Sequence, residues 1–459
     1  MLILELITSL LLWVMIMLPI NSYLLGINER SPYKIVQDTS NQTIFDITKI
    51  SSEAIMNRSD LCEGGVATSF TDDNKAGSGS GSSSAVSYNL ISYSIPVRST
   101  STEATGIISD GQNLFVSLNS ASTTDYDLIA YDYKNLVLPL DKIDTGPGII
   151  GATLIGKNIF AINSSVNSAI QRFKFDSITR KINKVGDYKI PWSSSDNPIY
   201  ATKISSIYPY LFIGLKKNLN EELLSIDLNK LDFGLAGAIN GKLELDSSVQ
   251  AIWPMYDKYL HLLISTAKEP EINDFCLNCD FPPYSSSTSN SPSFSSSSST
   301  PSSSSPSSLF GTQSPLSTFD LFGSLGNVRS LIAKDGSIYV GRTPGNNELF
   351  KVNITRDYSS TTSPKNNYDL INSIDINEGV YSMLLSDKKL FIVSGKSNSN
   401  IQIRNTDDLS KVLQTINSSS TISDLECVGD KIFGVGSNFN MNGTTTISIT
   451  PIIFELKPI

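Results

Sequence analysis

Few residues in this chain have the type and spacing to do chemistry. Cys276-Leu277-Asn278-Cys279 is a C-x-x-C pair, and the chain has only two further cysteines, Cys62 and Cys427. Such a pair can close a structural disulfide, cycle as a redox dithiol, or supply half of a metal site. No second pair completes a metal site, and no βαβ pattern surrounds this one. A structural disulfide drawn from Cys62, Cys276 and Cys279 is therefore expected, its connectivity open. Cys427, in Asp424-Leu425-Glu426-Cys427-Val428, reads as a buried free thiol. His261 is the single histidine, and it sits where equivalent segments carry Phe or Tyr. A core position for it leaves Ser-His-Asp and Cys-His arrangements without a base. Asp72-Asp73 and Asp407-Asp408 fall in turn-like surroundings. Glycosidase chemistry needs two carboxylates at a set separation on a scaffold, and neither pair identifies one. No P-loop, G-x-G-x-x-G or calcium-loop pattern is present. No cofactor, metal or catalytic residue is assigned from these residues.

The compartment follows from the first residues and from the sequons. Leu6 to Leu18 is an apolar run of about 13 residues ended by Pro19, short against the roughly 20 needed to span a bilayer. Residues 1–22 therefore read as a signal peptide, with an uncleaved N-terminal membrane anchor as the alternative. Asn-x-Ser/Thr sequons at Asn41, Asn57, Asn163, Asn353, Asn417 and Asn442 fit a glycosylated secretory protein, extracellular, at the cell surface or lumenal. Lys and Arg total 35 against 44 Asp and Glu, a net charge of −9, with no basic block. A nucleic-acid partner is not expected.

The elements that would position any site come from a repeat. Leu114-Phe115-Val116, Ile159-Phe160-Ala161, Leu211-Phe212-Ile213, Leu260-His261-Leu262, Ile338-Tyr339-Val340, Leu390-Phe391-Ile392 and Ile432-Phe433-Gly434 share one pattern. Most follow a Gly or Asp turn and lead into Gly or Ser. They recur roughly every 42 to 52 residues, the period of a propeller blade, with one gap of about 78. Consecutive apolar positions mark a strand buried on both faces. Alternating third strands follow at Leu128–Asp132, Ile170–Asp176, Leu223–Asp227, Leu349–Asn353 and Ile401–Asn405. The long gap is assigned to a Ser/Thr/Pro-rich insertion at 268–316, whose composition cannot bury enough apolar surface to order itself. The reading is all-β: a seven-bladed β-propeller at 85–459 behind a partly disordered leader at 23–84. Strand-like Tyr88–Tyr93 is placed to complete the last blade. Thr105, Lys203, Gln250, Arg329, Tyr381 and Asp424 enter the inner strands and could face the channel or its rim; Trp192 and Trp253 lie near strand entries.

The repeated strand after a short Asp/Gly turn resembles the WD40-like and YVTN-like class of seven-bladed propeller repeats. Gly-His…Trp-Asp and kelch Gly-Gly signatures are missing, so no functional residues carry over. The function expected is binding: a scaffold for a protein or glycan partner. Two alternatives stay open. One is a hydrolase or lyase using acidic residues at the channel, and the other is a lumenal subunit of a membrane complex anchored through residues 1–22.

Overall fold

The structure is a computed structural model that describes residues 87–459, apart from 121, 123, 164–168, 192–198, 218–220, 257–258, 270, 278–308, 311–314, 322–326, 335, 358–364, 387, 396–398 and 443–444. Residues 1–86, read above as signal, leader and linker, with Asn41, Asn57, Cys62 and Asp72-Asp73, lie outside the described residues, as do Trp192, Cys279 and the Ser-rich core.

Seven antiparallel four-stranded sheets follow one another along the chain. The inner strands are Thr102–Ser109, Ile149–Ile155, Ala201–Ile207, Val249–Tyr256, Val328–Lys334, Val380–Ser386 and Thr421–Val428. Each touches the inner strand of the next blade, and the last touches the first, so the ring closes. The seventh blade is built from both chain ends. Tyr88–Ser94 is its outermost strand, paired with Thr445–Pro458 from Tyr88↔Pro458 to Ser94↔Ile452.

The apolar triplets occupy the second strands, which are buried almost throughout. Neighbouring blades clamp them on both faces, which is why alternation gives way to continuous apolar runs. Register corrects one assignment. Phe115, Phe160, Phe212, Tyr339, Phe391 and Phe433 pair with equivalent inner-strand positions, and Leu263, opposite Trp253, holds that place in blade four. His261 lies two residues earlier, on the same face of the strand. Local pattern alone had put it in the aromatic slot.

A second correction concerns the insertion. Residues 272–276 form the fully buried third strand of blade four, inside the segment assigned to the insertion from 268. Ser317–Phe319 then supplies the outer strand. The apolar content of Ile272-Asn273-Asp274-Phe275-Cys276 is modest, and its buried Asp274 faces a polar network. Asp274 accepts from His261 Nδ1 at 2.9 Å, from Tyr368 OH at 2.9 Å and from Arg356 at 3.3 Å. Those donors hold its pKa down against the upward push of burial.

Gly and Ser after the triplets have a packing reason. A Cβ on Gly341 would lie 2.4 Å from Val380 Cγ1, and one on Gly214 would lie 2.5 Å from Val249 Cγ1. Both valines belong to the inner strand of the following blade. Gly341→Ala is expected to cost about 1–3 kcal/mol by overpacking, and Val380→Ala in the same chain to recover part of it. Chemical denaturation of the two single variants and the double measures the coupling; simple additivity would contradict the contact.

The segments that lead into the inner strands are fixed by buried acidic side chains. Asp127, Glu222, Glu271 and Glu348 each stand just before a third strand and are at most 5% exposed. Each accepts a backbone N–H two residues beyond its blade's outer strand: Thr145 at 2.8 Å, Leu245 at 2.8 Å, Leu321 at 3.0 Å and Ile376 at 2.9 Å. In blade six Ser399 stands before the third strand, and its Oγ accepts Ile422 N–H at 2.9 Å from within the inner strand of blade seven. An acidic residue directly before the third strand's first aliphatic residue is a sequence signal that the triplet pattern overlooks.

Asp127 has a testable titration. Burial pushes its pKa up to about 6 from 3.8, with Asp144 and Asp125 adding to the rise against the Thr145 donors. Its Oδ1 has no hydrogen-bond partner. A carboxyl raised on folding favours the native state fully below the unfolded pKa and loses that contribution as pH climbs through about 6. Asp127→Asn removes the titration. Its stability relative to the parent should therefore improve by about 2 kcal/mol between pH 4 and pH 7.5. A pH-independent difference between the two would refute the assignment.

Candidate functional site in the central channel

Every inner strand carries a register shift near its start. The residue skipped in pairing is Thr105, Ile150, Thr202, Gln250, Arg329, Tyr381 or Ser423 in blades one to seven. A bulge leaves one residue outside the ladder and re-aims its side chain. Seven bulges at one level make a ring around the axis.

Three of these residues stitch the ring together. Thr105 Oγ1 donates to Ile149 O at 2.8 Å, Thr202 Oγ1 to Val249 O at 2.8 Å, and Ser423 Oγ to Ala104 O at 2.6 Å. In each case the acceptor is the residue just before the next blade's bulge. Blades two, four, five and six have Ile, Gln, Arg and Tyr instead, and Arg329 and Tyr381 line the lumen.

The lumen is a cavity of about 260 Å³ lined by inner-strand residues of all seven blades. Thr105, Lys203, Arg329, Tyr381, Asp424 and Trp253 are among them. Of the residues expected at the channel, Gln250 is the exception: it sits at the bulge of blade four but outside the cavity lining. Lys203 and Asp424 are not bulge residues. They follow the bulges of blades three and seven, where blades one and two have Gly106 and Gly151.

Asp424 is bound into the frame. Its Oδ2 accepts Ile107 N–H at 3.2 Å from blade one, and its Oδ1 accepts Ser382 O–H from blade six and Leu425 N–H, both at 3.0 Å. Enclosure by the ring raises its pKa, opposed by these donors and by Lys203. Lys203 and Arg329 are exposed to the lumen, and among the described residues neither has a hydrogen bond or an ion-pair partner. The ring surrounds Lys203 on all sides, so its pKa falls by desolvation, with Arg329 adding and Asp424 opposing. Its accessible surface shows that water enters the lumen and tempers both shifts.

The remaining candidates do not converge on the channel. Asp407 is exposed and meets Lys388 at 3.6 Å, and Asp408 caps Ser410 N–H in the same hairpin. Asn163 ends a second strand at 3% exposure, which does not present its amide for a glycan. Asn353 lies half-buried within a third strand and accepts Ser337 Oγ–H at 2.9 Å. Asn417 is exposed at the end of an outer strand, and Asn442 ends the long second strand of blade seven. Cys276 and Cys427 are both buried, and no cysteine among the described residues is free, which corrects the free thiol expected at Cys427. Glu269, Glu271 and Asp320 bring carboxylate oxygens within 4.8 Å of one another. Glu271 there already serves Leu321 N–H and Arg342, so it is a structural group. No helix among the described residues is long and apolar enough to cross a membrane.

No protein-family model and no curated protein matches the chain. Solved structures do. The β-propeller domain of Cps50 (Swd1) from Myceliophteria thermophila is 8% identical and superposes with a TM-score of 0.51, over 79% of this chain and 99% of that one. The chain is a seven-bladed β-propeller. Its WD40-like resemblance holds at the level of architecture. The WD40 repeats of RRP9 (10% identity, TM-score 0.48, 79% and 98% coverage) and a putative 6-phosphogluconolactonase from Bacteroides fragilis (14%, 0.46, 78% and 93%) are more distant in shape. At 8% identity the likeness to the Cps50 domain is one of fold alone.

Proposed function

We propose that the propeller is a binding scaffold of the secretory pathway or cell exterior, and that its partner, a protein or a glycan, docks over the bulged end of the channel. The observation that carries this reading is the ring of seven bulges, which delivers Gln250, Arg329 and Tyr381 to one end of a closed, rigid frame. Rigid presentation of side chains lowers the ordering cost of association. The absence of a free cysteine among the described residues and the exposed sequon at Asn417 support an oxidising, glycosylating compartment. The reading includes cleavage of residues 1–22, with retention as an anchor the alternative. Hydrolysis or elimination by paired channel carboxylates finds less support, because among the described residues Asp424 is the one carboxylate lining the lumen and its oxygens already serve structural donors.

Two measurements test it. Intact mass and N-terminal peptides of protein from its native cells, with and without glycosidase, should show a start near Tyr23 and glycan mass. An intact, unglycosylated Met1 would remove the compartment. A photocrosslinker at Gln250 should capture a partner that the same group at Ile178, 92% exposed elsewhere on the surface, does not. Equal capture at both positions would remove the docking face.

A further inference from the structure

We propose that the lumen binds a small oxyanion, a phosphate or carboxylate group, between Lys203 and Arg329. This deepens the channel reading above and does not depend on the compartment.

Three observations lead there. First, the lumen has two cations and one anion, and the anion is spoken for. Asp424 already accepts from Ile107, Ser382 and Leu425. Lys203 and Arg329, from blades three and five, have no direct partner among the described residues. Three other arginines of the described ring each meet a carboxylate: Arg342 meets Glu271, Arg356 meets Asp274, and Arg172 meets Asp232. Two like charges held in one enclosed space repel, and an anion between them relieves that repulsion while the ring limits competing water.

Second, the volume selects the size of the ligand. About 260 Å³ is below the usual range of roughly 300–1,000 Å³ for drug-sized ligands. It admits one compact group and excludes an oligosaccharide or a folded element.

Third, the remaining lining suits oxygen atoms. Ser330 and Tyr381 bring hydroxyl groups from blades five and six. The lumen wall thus adds neutral donors beside the two cations. An oxyanion has enough acceptor lone pairs to use both kinds together.

The test uses the full chain with inorganic phosphate as probe, titrated by calorimetry at low ionic strength. The parent should bind one phosphate in the lumen. Lys203→Met and Arg329→Gln should each weaken binding by about tenfold or more, since each removes a charge-assisted contact. The double variant should show no saturable binding. Arg329 has no direct partner and is repelled by Lys203, so Arg329→Gln should melt at or above the parent's temperature; Lys203→Met gives up the attraction of Asp424 and should melt slightly lower, and cooperative unfolding well above the titration temperature in both variants keeps weakened binding from being assigned to unfolding. Phosphoserine and acetyl-aspartate peptides separate the sources of the anion. Affinity equal to that of inorganic phosphate means a free solute, whereas at least tenfold tighter binding of a peptide means an acidic group presented by a partner chain. The proposal is overturned if the parent binds neither phosphate nor peptide at millimolar concentration, or if the double variant binds as the parent does, which would make the site an adventitious ion only. Partner capture at Gln250 with no anion binding would leave the scaffold standing and remove this site alone.

Discussion

Deleting Tyr88–Ser94 from the full chain is expected to destabilise the propeller by on the order of 5 kcal/mol. This strand is the outermost strand of blade seven, and it pairs along its length with Thr445–Pro458. It also reaches blade six. Gln414 accepts Tyr88 N–H at 2.8 Å and donates to Tyr88 O at 2.7 Å. The Tyr88 ring packs edge-on against Phe391 at 5.6 Å, and Tyr88 and Leu90 both pack on the core shared by blades six and seven. Removing the strand bares the edge of Thr445–Pro458, so the deletion should also promote association between chains. Thermal denaturation with light scattering reads both effects. Gln414→Leu is the local control, expected to lose only about 1–2 kcal/mol. A deletion as mild as this control would mean that the ring closes through Thr421–Val428 and its neighbours without the N-terminal strand.

The second large effect lies at the boundary of blades four and five. The Arg342 side chain is fully buried, with Nη2 3.2 Å from Glu271 Oε1 and Nη1 3.2 Å from Leu321 O, above the Phe350 ring. Glu271→Ala takes the Glu271 carboxylate from that guanidinium and removes the acceptor of Leu321 N–H. A loss of about 3–5 kcal/mol is expected, because a buried charge deprived of its partner keeps its full desolvation penalty. Glu271→Gln should lose less, since its amide oxygen can still accept Leu321 N–H. Replacing both members, with Glu271→Leu and Arg342→Met, should be milder than Glu271→Ala, because no buried charge remains. Denaturant midpoints of the three variants give the order. A Glu271→Ala variant within 1 kcal/mol of the parent would show that Leu321 O and the Phe350 ring satisfy Arg342 unaided.

These effects locate what local sequence encodes here. The second strands are legible because both their faces are buried, so the pattern is a run of apolar residues that no other surface element needs. Leu128–Asp132 and Leu223–Asp227 are legible to the residue, because alternation begins and ends at Asp or a loop. Ile272–Cys276 is not: its Asp274 is satisfied by Arg356 and Tyr368, 82 and 94 residues further along the chain. The acidic residues before the third strands look like ordinary loop residues until their backbone partners, some 18 to 50 residues away, are seen.

The same division holds for the channel. By itself the sequence determined the strand type, the seven repeats and the entry of polar residues into the inner strands, because each depends on neighbours in the chain. Only the tertiary structure decided which of them meet. Lys203 and Asp424 lie 221 positions apart and share one lumen because the ring brings blade three opposite blade seven. Gln250, at the same bulge position as Arg329, stays outside the cavity. His261 leaves the aromatic slot because pairing register, set along the whole strand, overrides a three-residue match. Convergence of side chains across a closed ring is a property of closure, and no local pattern in the chain records it.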